Sequence, residues 1–443
     1  MGRSRLSSRN AGVTAQRLLL CLTFGAGCHG STGRDEDSPR RTGVCHNSDV
    51  MSRDQETQSW HFALGDCATL HLDGSNGPTG ADAAAVRALA EALKTNGAKL
   101  SIDNEAVRAL AEALKTNTVL TELRVYGTFG TEGAMYLAEA LKINVALKFL
   151  NLSHISIGSE GVLQLAKSLK INKALTAMDL EGCKIGSEGA QELAEALKTN
   201  AVLTTLHLGH NAIRSEGARA LGEALKTNAA LTTLNLDRNE IGSEGARGLA
   251  EGLKTNVALT SLQLSVSLAH VKLGREDYHP IGPEGAQALA EALKTNSALT
   301  SLSLAGNSLG SEGARELAEA LKTNRALTSL DLTGNSLGSE GARELADALK
   351  TNTALRSLRL EGNSIDSEGA WALAEALQTN TALISLDLAL DGDAHHRVHG
   401  LIGADAQSAM KDALAGAWSG QRRGPHPMRR AARLAANGEK QEL

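Results

Sequence analysis

The chain has 443 residues and a formal net charge of −5, which excludes the strongly basic field of a general nucleic-acid binder. Aromatic residues make up only 2 % of the chain, few for a surface built on aromatic anchors. The five cysteines, Cys21, Cys28, Cys45, Cys67 and Cys183, are odd in number, scattered and free of any Cys-x-x-Cys pair, so neither a disulfide framework nor a zinc knuckle is expected.

Residues 1–60 do not share the pattern of the rest and read as a leader and linker. Arg3, Arg5, Arg9 and Arg17 precede an apolar run, Leu18 to Gly27, followed by small residues. That order suits a signal peptide over about residues 1–28, and the run is short for a membrane span. Ser31 to Asp54 is polar and charged, as linkers are. At the far end Lys440-Gln441-Glu442-Leu443 is similar to an endoplasmic-reticulum retrieval tail, which has meaning only behind a true signal. A cytoplasmic location is expected, with the secretory pathway as the alternative.

Residues 61–418 read as one array of about 12 copies of a short unit. A degenerate copy starts near Cys67 and ends at Asn96, and a shortened one runs from Leu100 to Asn117. Better copies begin at Leu120, Leu147, Leu175, Leu203, Leu231, Leu259, Leu299, Leu327, Leu355 and Leu383. Their spacing is 27, then 28 four times, then 40, then 28 three times.

Each copy changes period in its middle. Leu327, Leu330 and Leu332 follow Leu-x-x-Leu-x-Leu, which predicts a short strand with one buried face. Ala342, Leu345, Ala348 and Leu349 then recur at helical spacing. Ser339 is expected to cap that helix, Glu340 to sit at its positive end and Lys350 at its negative end. Asn352 is expected to stop it in the left-handed conformation. A strand and a helix in 28 residues cannot close a core alone, so neighbouring copies must stack.

One polar position should point inward. Asn211, Asn239, Asn307, Asn335 and Asn363 each fall three residues after the last strand leucine, and Cys183 takes the same place in its copy. Buried amides there can satisfy backbone groups where strands turn into loops. The copy beginning at Leu259 lacks this residue and carries a 12-residue insertion within 265–280, on the rim.

Together, Leu-x-x-Leu-x-Leu-x-x-Asn/Cys-x-Ile/Leu-Gly and the 28-residue period resemble leucine-rich repeats of the ribonuclease-inhibitor type, with the repeat region of NOD-like receptors as near kin. The resemblance covers roughly Cys67 to Trp418. It implies an α/β solenoid, a right-handed horseshoe with parallel strands on its concave face and helices outside. It also implies a non-enzymatic scaffold that binds a protein partner through the concave face and rim. Outward candidates on that face and rim are Arg124, Tyr126, Phe149, His154, His207, His210, Arg238, Tyr278 and Arg359.

Two other readings stay open: a regulatory or immune sensor reduced to its repeats, and a GTPase activator like the Ran GTPase-activating proteins. The latter act through a loop arginine that no motif marks here, and carry an acidic tail where residues 419–443 hold Arg422, Arg423, Arg429, Arg430 and Arg433. No cofactor is expected. Gly248 to Thr255 superficially resembles a phosphate loop, but Leu253 breaks the spacing and the stretch lies in a repeat helix. Asp391, Asp393, His395, His396 and His399 cluster in a glycine-flanked loop and read as irregular loop rather than metal site. No Ser/His/Asp or Cys/His set stands out. The sequon Asn151-Leu152-Ser153 lies in a strand, a poor place for a glycan. The chain is expected to be a monomer with no membrane span and no specific nucleic-acid partner.

Overall fold

A computed structural model describes residues 100–102, 104–118, 120–266 and 279–389, together with the short strands β1 (Met51–Arg53), β2 (Trp60–Phe62) and β14 (Arg397–Val398). The leader, the copy starting near Cys67, the insertion with Tyr278, the His-rich loop, the final helix and the arginine tail lie outside these residues. From β3 onward strands and helices alternate: β3 (Leu100–Ile102), α1 (Asn104–Thr116), β4 (Glu122–Gly127), α2 (Gly130–Leu141), β5 (Phe149–Asn151), α3 (Gly158–Leu169), β6 (Ala177–Asp179), α4 (Gly186–Leu197), β7 (Thr205–His207), α5 (Arg214–Leu225), β8 (Thr233–Asn235) and α6 (Gly242–Leu253). The order continues with β9 (Ser261–Gln263), α7 (Gly282–Thr295), β10 (Ser301–Ser303), α8 (Gly310–Thr323), β11 (Ser329–Asp331), α9 (Gly338–Leu349), β12 (Ser357–Arg359), α10 (Ser367–Ala376) and β13 (Ser385–Ala389).

Strands β3 to β14 form one open sheet of 12 strands in sequence order. Each pair from β3 to β13 is parallel, and only β13 and β14 run antiparallel. Registers follow the repeat: Leu206 stands beside Leu234, and Leu302 beside Leu330. The insertion does not disturb this, since Leu262 pairs with Leu302 across it. From β5 to β12 each three-residue strand buries its middle residue, Met178 in β6 and leucine in the others, and most flanking residues are only half-buried on the other face. Leu327, Leu330, Leu332, Leu337, Leu345 and Leu349 are all buried, so one copy supplies both walls of its slice of core. Burial of that kind is worth about 2 kcal/mol per leucine.

Two rows of buried asparagine run through the stack, one from Asn211 to Asn363 and one from Asn117 to Asn380. In the first, the Asn211 amide donates to the Leu180 and Leu208 carbonyls at 2.7 and 3.0 Å and accepts from the Cys183 N–H at 2.8 Å. Asn239, Asn307, Asn335 and Asn363 repeat this, and Asn307 reaches across the insertion to the Leu264 carbonyl at 2.8 Å. Cys183 ends the row. Its thiol donates to the Leu152 carbonyl at 3.1 Å, and burial pushes its pKa up to about 12.

The second row corrects the expectation at Asn352. No residue of that row has positive φ, and Asn296 and Asn324 are extended, at φ/ψ of −73/125° and −67/132°. The Asn352 side chain instead donates to the Leu321 carbonyl of the preceding copy at 2.7 Å and accepts from Ala354 and Leu355 N–H at 3.0 and 2.8 Å. It ties the helix end to the next strand and to its neighbour at once.

Ser339 does not cap α9, a second correction. Leu337 precedes that helix with no side-chain cap bond, and Gly338 turns the chain into it with φ of +63°. Ser339 lies inside, its hydroxyl accepting from the Asp366 N–H at 3.0 Å. The side-chain cap falls one copy on, where Asp366 accepts from Glu368 and Gly369 N–H. Glu340 is in the first turn of α9 and Lys350 at its end, as the helix dipole favours.

Candidate partner-binding face

The sheet's free face is made by the first and third residues of each strand. At its start, the Arg124 guanidinium lies 5.0 Å from the centre of the Phe149 ring and Nε meets Glu122 at 2.6 Å. Asn151 is buried and donates to Asp179 at 2.8 Å while accepting from the Ser153 N–H and hydroxyl. That amide is buried and bonded through both its nitrogen and its oxygen, a poor acceptor for a glycan. Backbone of Tyr126 forms the end of β4; its side chain, like Tyr278, is outside the described residues.

Among the described residues, the middle of the face is acidic and carries few neutralising cations. His207 Nδ1 stands 4.0 Å from the Asp179 carboxylate. Asp237 accepts from the Ser265 N–H at 2.6 Å, and burial raises its pKa despite that bond and the charge of Arg238. Gly209 leaves a gap beside Asn235 and Glu181: a Cβ there would stand 3.5 Å from each. Among the described residues, no lysine or arginine comes within 4.0 Å of Asp179, Glu181 or Asp237.

Carboxylates at the C-terminal end are matched. Arg359 reaches Asp331 at 2.9 Å, Asp387 at 3.3 Å and Glu361 at 4.0 Å. The partner-anchor expectation for Arg359 therefore meets a guanidinium already held by three carboxylates on its own sheet. Sequence reading could not see this, because it depends on strands 28 residues apart lying in register.

His154, His210 and Arg238 share one backbone feature. Each stands just outside the sheet, immediately before the ladder position of its copy, with φ of 61, 59 and 57°. Other copies place glycine there: Gly182, Gly306, Gly334 and Gly362 have φ from 65 to 72°. Left-handed backbone costs an L-residue about 1 kcal/mol, so the glycine copies are the relaxed ones. All three side chains are exposed. The His154 ring covers the next copy's Gly182, where a Cβ would stand 2.6 Å from Nδ1. Arg214 likewise takes a glycine column, with φ of 59° and an ion pair to Glu240 at 3.3 Å. Sequence reading missed Arg214, Glu181 and Asp237; aligning the copies by column exposes Arg214 as glycine replaced.

Among the described residues no group of three or more His, Cys, Asp or Glu side chains could hold a metal ion. No described helix is long and apolar enough to cross a membrane.

Parallel strands in sequence order, each joined to the next by a helix on one side, define an open α/β solenoid. Six segments, 172–194, 199–222, 227–250, 295–318, 323–346 and 351–374, match the leucine-rich-repeat family model. Those six segments are leucine-rich repeats, and the open α/β solenoid is built on them. No curated protein matched the chain's sequence. Solved structures show likeness, three of them as follows. The leucine-rich repeat-containing protein LegL7 from Legionella pneumophila is 20 % identical over 72 % of this chain and 98 % of its own, with a TM-score of 0.42. The actin-binding site 2 of leiomodin-1 is 22 % identical over 39 % of this chain and 94 % of its own, with a TM-score of 0.25. The tropomodulin C-terminal domain from Caenorhabditis elegans is 18 % identical over 37 % and 92 %, with a TM-score of 0.30. At these scores none bears on what this chain does.

Proposed function

We propose that the protein is a non-enzymatic scaffold that holds a protein partner on the sheet face and rim from β5 to β9. The observation that carries this reading is the left-handed row. Three copies keep His154, His210 and Arg238 where sibling copies relax the same position with glycine. Strain retained against an available remedy points to a use for the side chain. Two further features support the same region: Phe149 with its stacked arginine offers an aromatic anchor, and unneutralised Asp179, Glu181 and Asp237 favour a cationic partner segment.

A triple variant, His154→Gly, His210→Gly and Arg238→Gly, tests this without damaging the fold, because each change installs the residue other copies use. Proximity labelling in cells with the wild type and the variant gives the readout. Specific neighbours of the wild type should fall about tenfold with the triple variant and persist with Arg359→Ala. Equal labelling by the wild type and the triple variant would remove the rim from the interface.

A further inference from the structure

Gly222, Gly248 and Gly252 bring α5 and α6 into backbone contact. A Cβ on Gly222 would stand 2.1 Å from the Gly248 carbonyl oxygen, and one on Gly252 would stand 2.2 Å from the Gly222 carbonyl oxygen. A Cβ on Gly248 would meet the Arg219 Cα at 2.7 Å. No side-chain carbon comes that near to backbone. Other copies carry larger residues in the same columns: Ala194, Ala290 and Ala318 at the place of Gly222, and Ala196, Ala292 and Ala320 at that of Gly252. Those methyls are buried between helices that leave room for them. The α5–α6 spacing is therefore shorter than its neighbours'. The Gly-x-x-x-Gly spacing of Gly248 and Gly252 is the pattern that lets helix backbones touch.

The strand side does not change at this point. Thr205 pairs with Thr233 and His207 with Asn235, and the Thr232 N–H meets the Thr204 carbonyl at 2.8 Å as in other copies. Hydrogen bonds fix strand spacing at about 4.8 Å, whereas helices pack at 8–10 Å, roughly, and that difference bends a solenoid. Shortening the helix spacing alone reduces the bend. We propose that the Gly222–Gly248–Gly252 contact is a built-in straight joint, which sets the angle between the sheet face up to β7 and the face from β8 onward. It falls one copy ahead of the insertion-bearing copy, so a partner spanning the middle of the face meets a flatter surface than one held nearer the C-terminus.

The joint makes the repeat's own consensus harmful. Gly222→Ala and Gly252→Ala restore the residue of sibling copies and raise helix propensity, yet each should lower the thermal midpoint of the full chain by about 5 °C. A midpoint equal to or above wild type in both variants would overturn the joint, because the methyls would then have room. A crystal structure of the unmodified protein gives the second measurement and does not depend on a variant folding. It should show the α5–α6 axes closer than α4–α5 or α7–α8, with less rotation between β7 and β8 than between β10 and β11. Uniform helix spacing and uniform rotation would overturn the proposal.

Discussion

The stretch from β5 to β9 and the stretch from β10 to β13 have the same alternation of strand and helix and share the second asparagine row, and they use their variable positions differently. In the later stretch the left-handed column is Gly306, Gly334 and Gly362, and the third strand position is Ser303, Asp331, Arg359 and Asp387, with the one arginine holding carboxylates on either side. In the earlier stretch the left-handed column carries His154, His210 and Arg238 beside one glycine, Gly182, and the carboxylates at Asp179, Glu181 and Asp237 have no lysine or arginine at ion-pair distance among the described residues. The later stretch relaxes this column with glycine in every copy; the earlier one departs from it in backbone and charge together, while the next left-handed column is non-glycine in both (Ser308, Ser336 and Ser364 against Lys184, Ala212 and Glu240). Departures of two kinds in one place, in an array whose copies are otherwise near-identical, are the ground on which the earlier stretch is proposed as the partner face.

The comparison requires that both stretches share one scaffold, and the asparagine rows are where that is tested most severely. Asn335→Ala removes an amide that donates to the Leu304 and Leu332 carbonyls and accepts from the Asn307 N–H, leaving buried backbone groups unmatched. Asn239→Ala does the same to the Leu208 and Leu236 carbonyls and the Asn211 N–H. Each should cost about 3 kcal/mol in chemical denaturation. Asn324→Ala, in the second row, should cost as much, since it strands the Leu293 carbonyl and the Leu327 N–H. A markedly smaller loss at Asn239 than at Asn335 would mean that the earlier stretch is held together in another way.

Much of this architecture is legible in the amino-acid sequence, and the reason is repetition. Leucine columns, the change of period and the first asparagine row recur at a fixed interval, so each copy checks the others. Asn352 misleads because its column meets the local signature of a helix stop; what it does instead is bond a carbonyl 31 residues earlier, which no local pattern records. Ser339 misleads for the converse reason: serine ahead of an apolar run suits a cap, but the glycine before it already turns the chain. The value of Arg359 depends on strand register, and that of His154, His210 and Arg238 on a backbone angle. Residues that repeat reveal themselves by their pattern, while those that differ take their meaning from neighbours in space.

Exchanging the left-handed residues between stretches sharpens the contrast at a smaller scale. Gly334→His should destabilise by about 1 kcal/mol, since it imposes a left-handed L-residue on a relaxed loop. His210→Gly should stabilise by a similar amount, measured by the same denaturation series. The Arg238 position should behave as His210 does. If both exchanges were neutral, the left-handed column would carry no strain, and the argument that its side chains are kept for a purpose would lose its footing.

The finest separation is by pH, because the two stretches shift a carboxylate in opposite directions. Burial raises the Asp237 carboxyl, outweighing its bonds from Ser265, so the folded chain holds that proton more tightly than the unfolded chain does. Its contribution is most favourable below the ordinary carboxylate range and is lost as pH rises through the raised value. Asp366 is the reverse. Burial pulls it up, but the Ser339 hydroxyl, the Gly369 and Glu368 N–H groups and the Arg343 charge together hold it below its ordinary value. Its stabilisation is present above the ordinary carboxylate range and is lost as pH falls through the lowered value. Asp237→Asn should therefore raise the thermal midpoint at neutral pH, and Asp366→Asn should lower it, with both differences closing as the pH is taken down through the carboxylate range. A fall in midpoint for Asp237→Asn at neutral pH would show that its charge is compensated in the folded chain. The earlier stretch would then be as well neutralised as the later one, and the electrostatic half of the contrast would be gone.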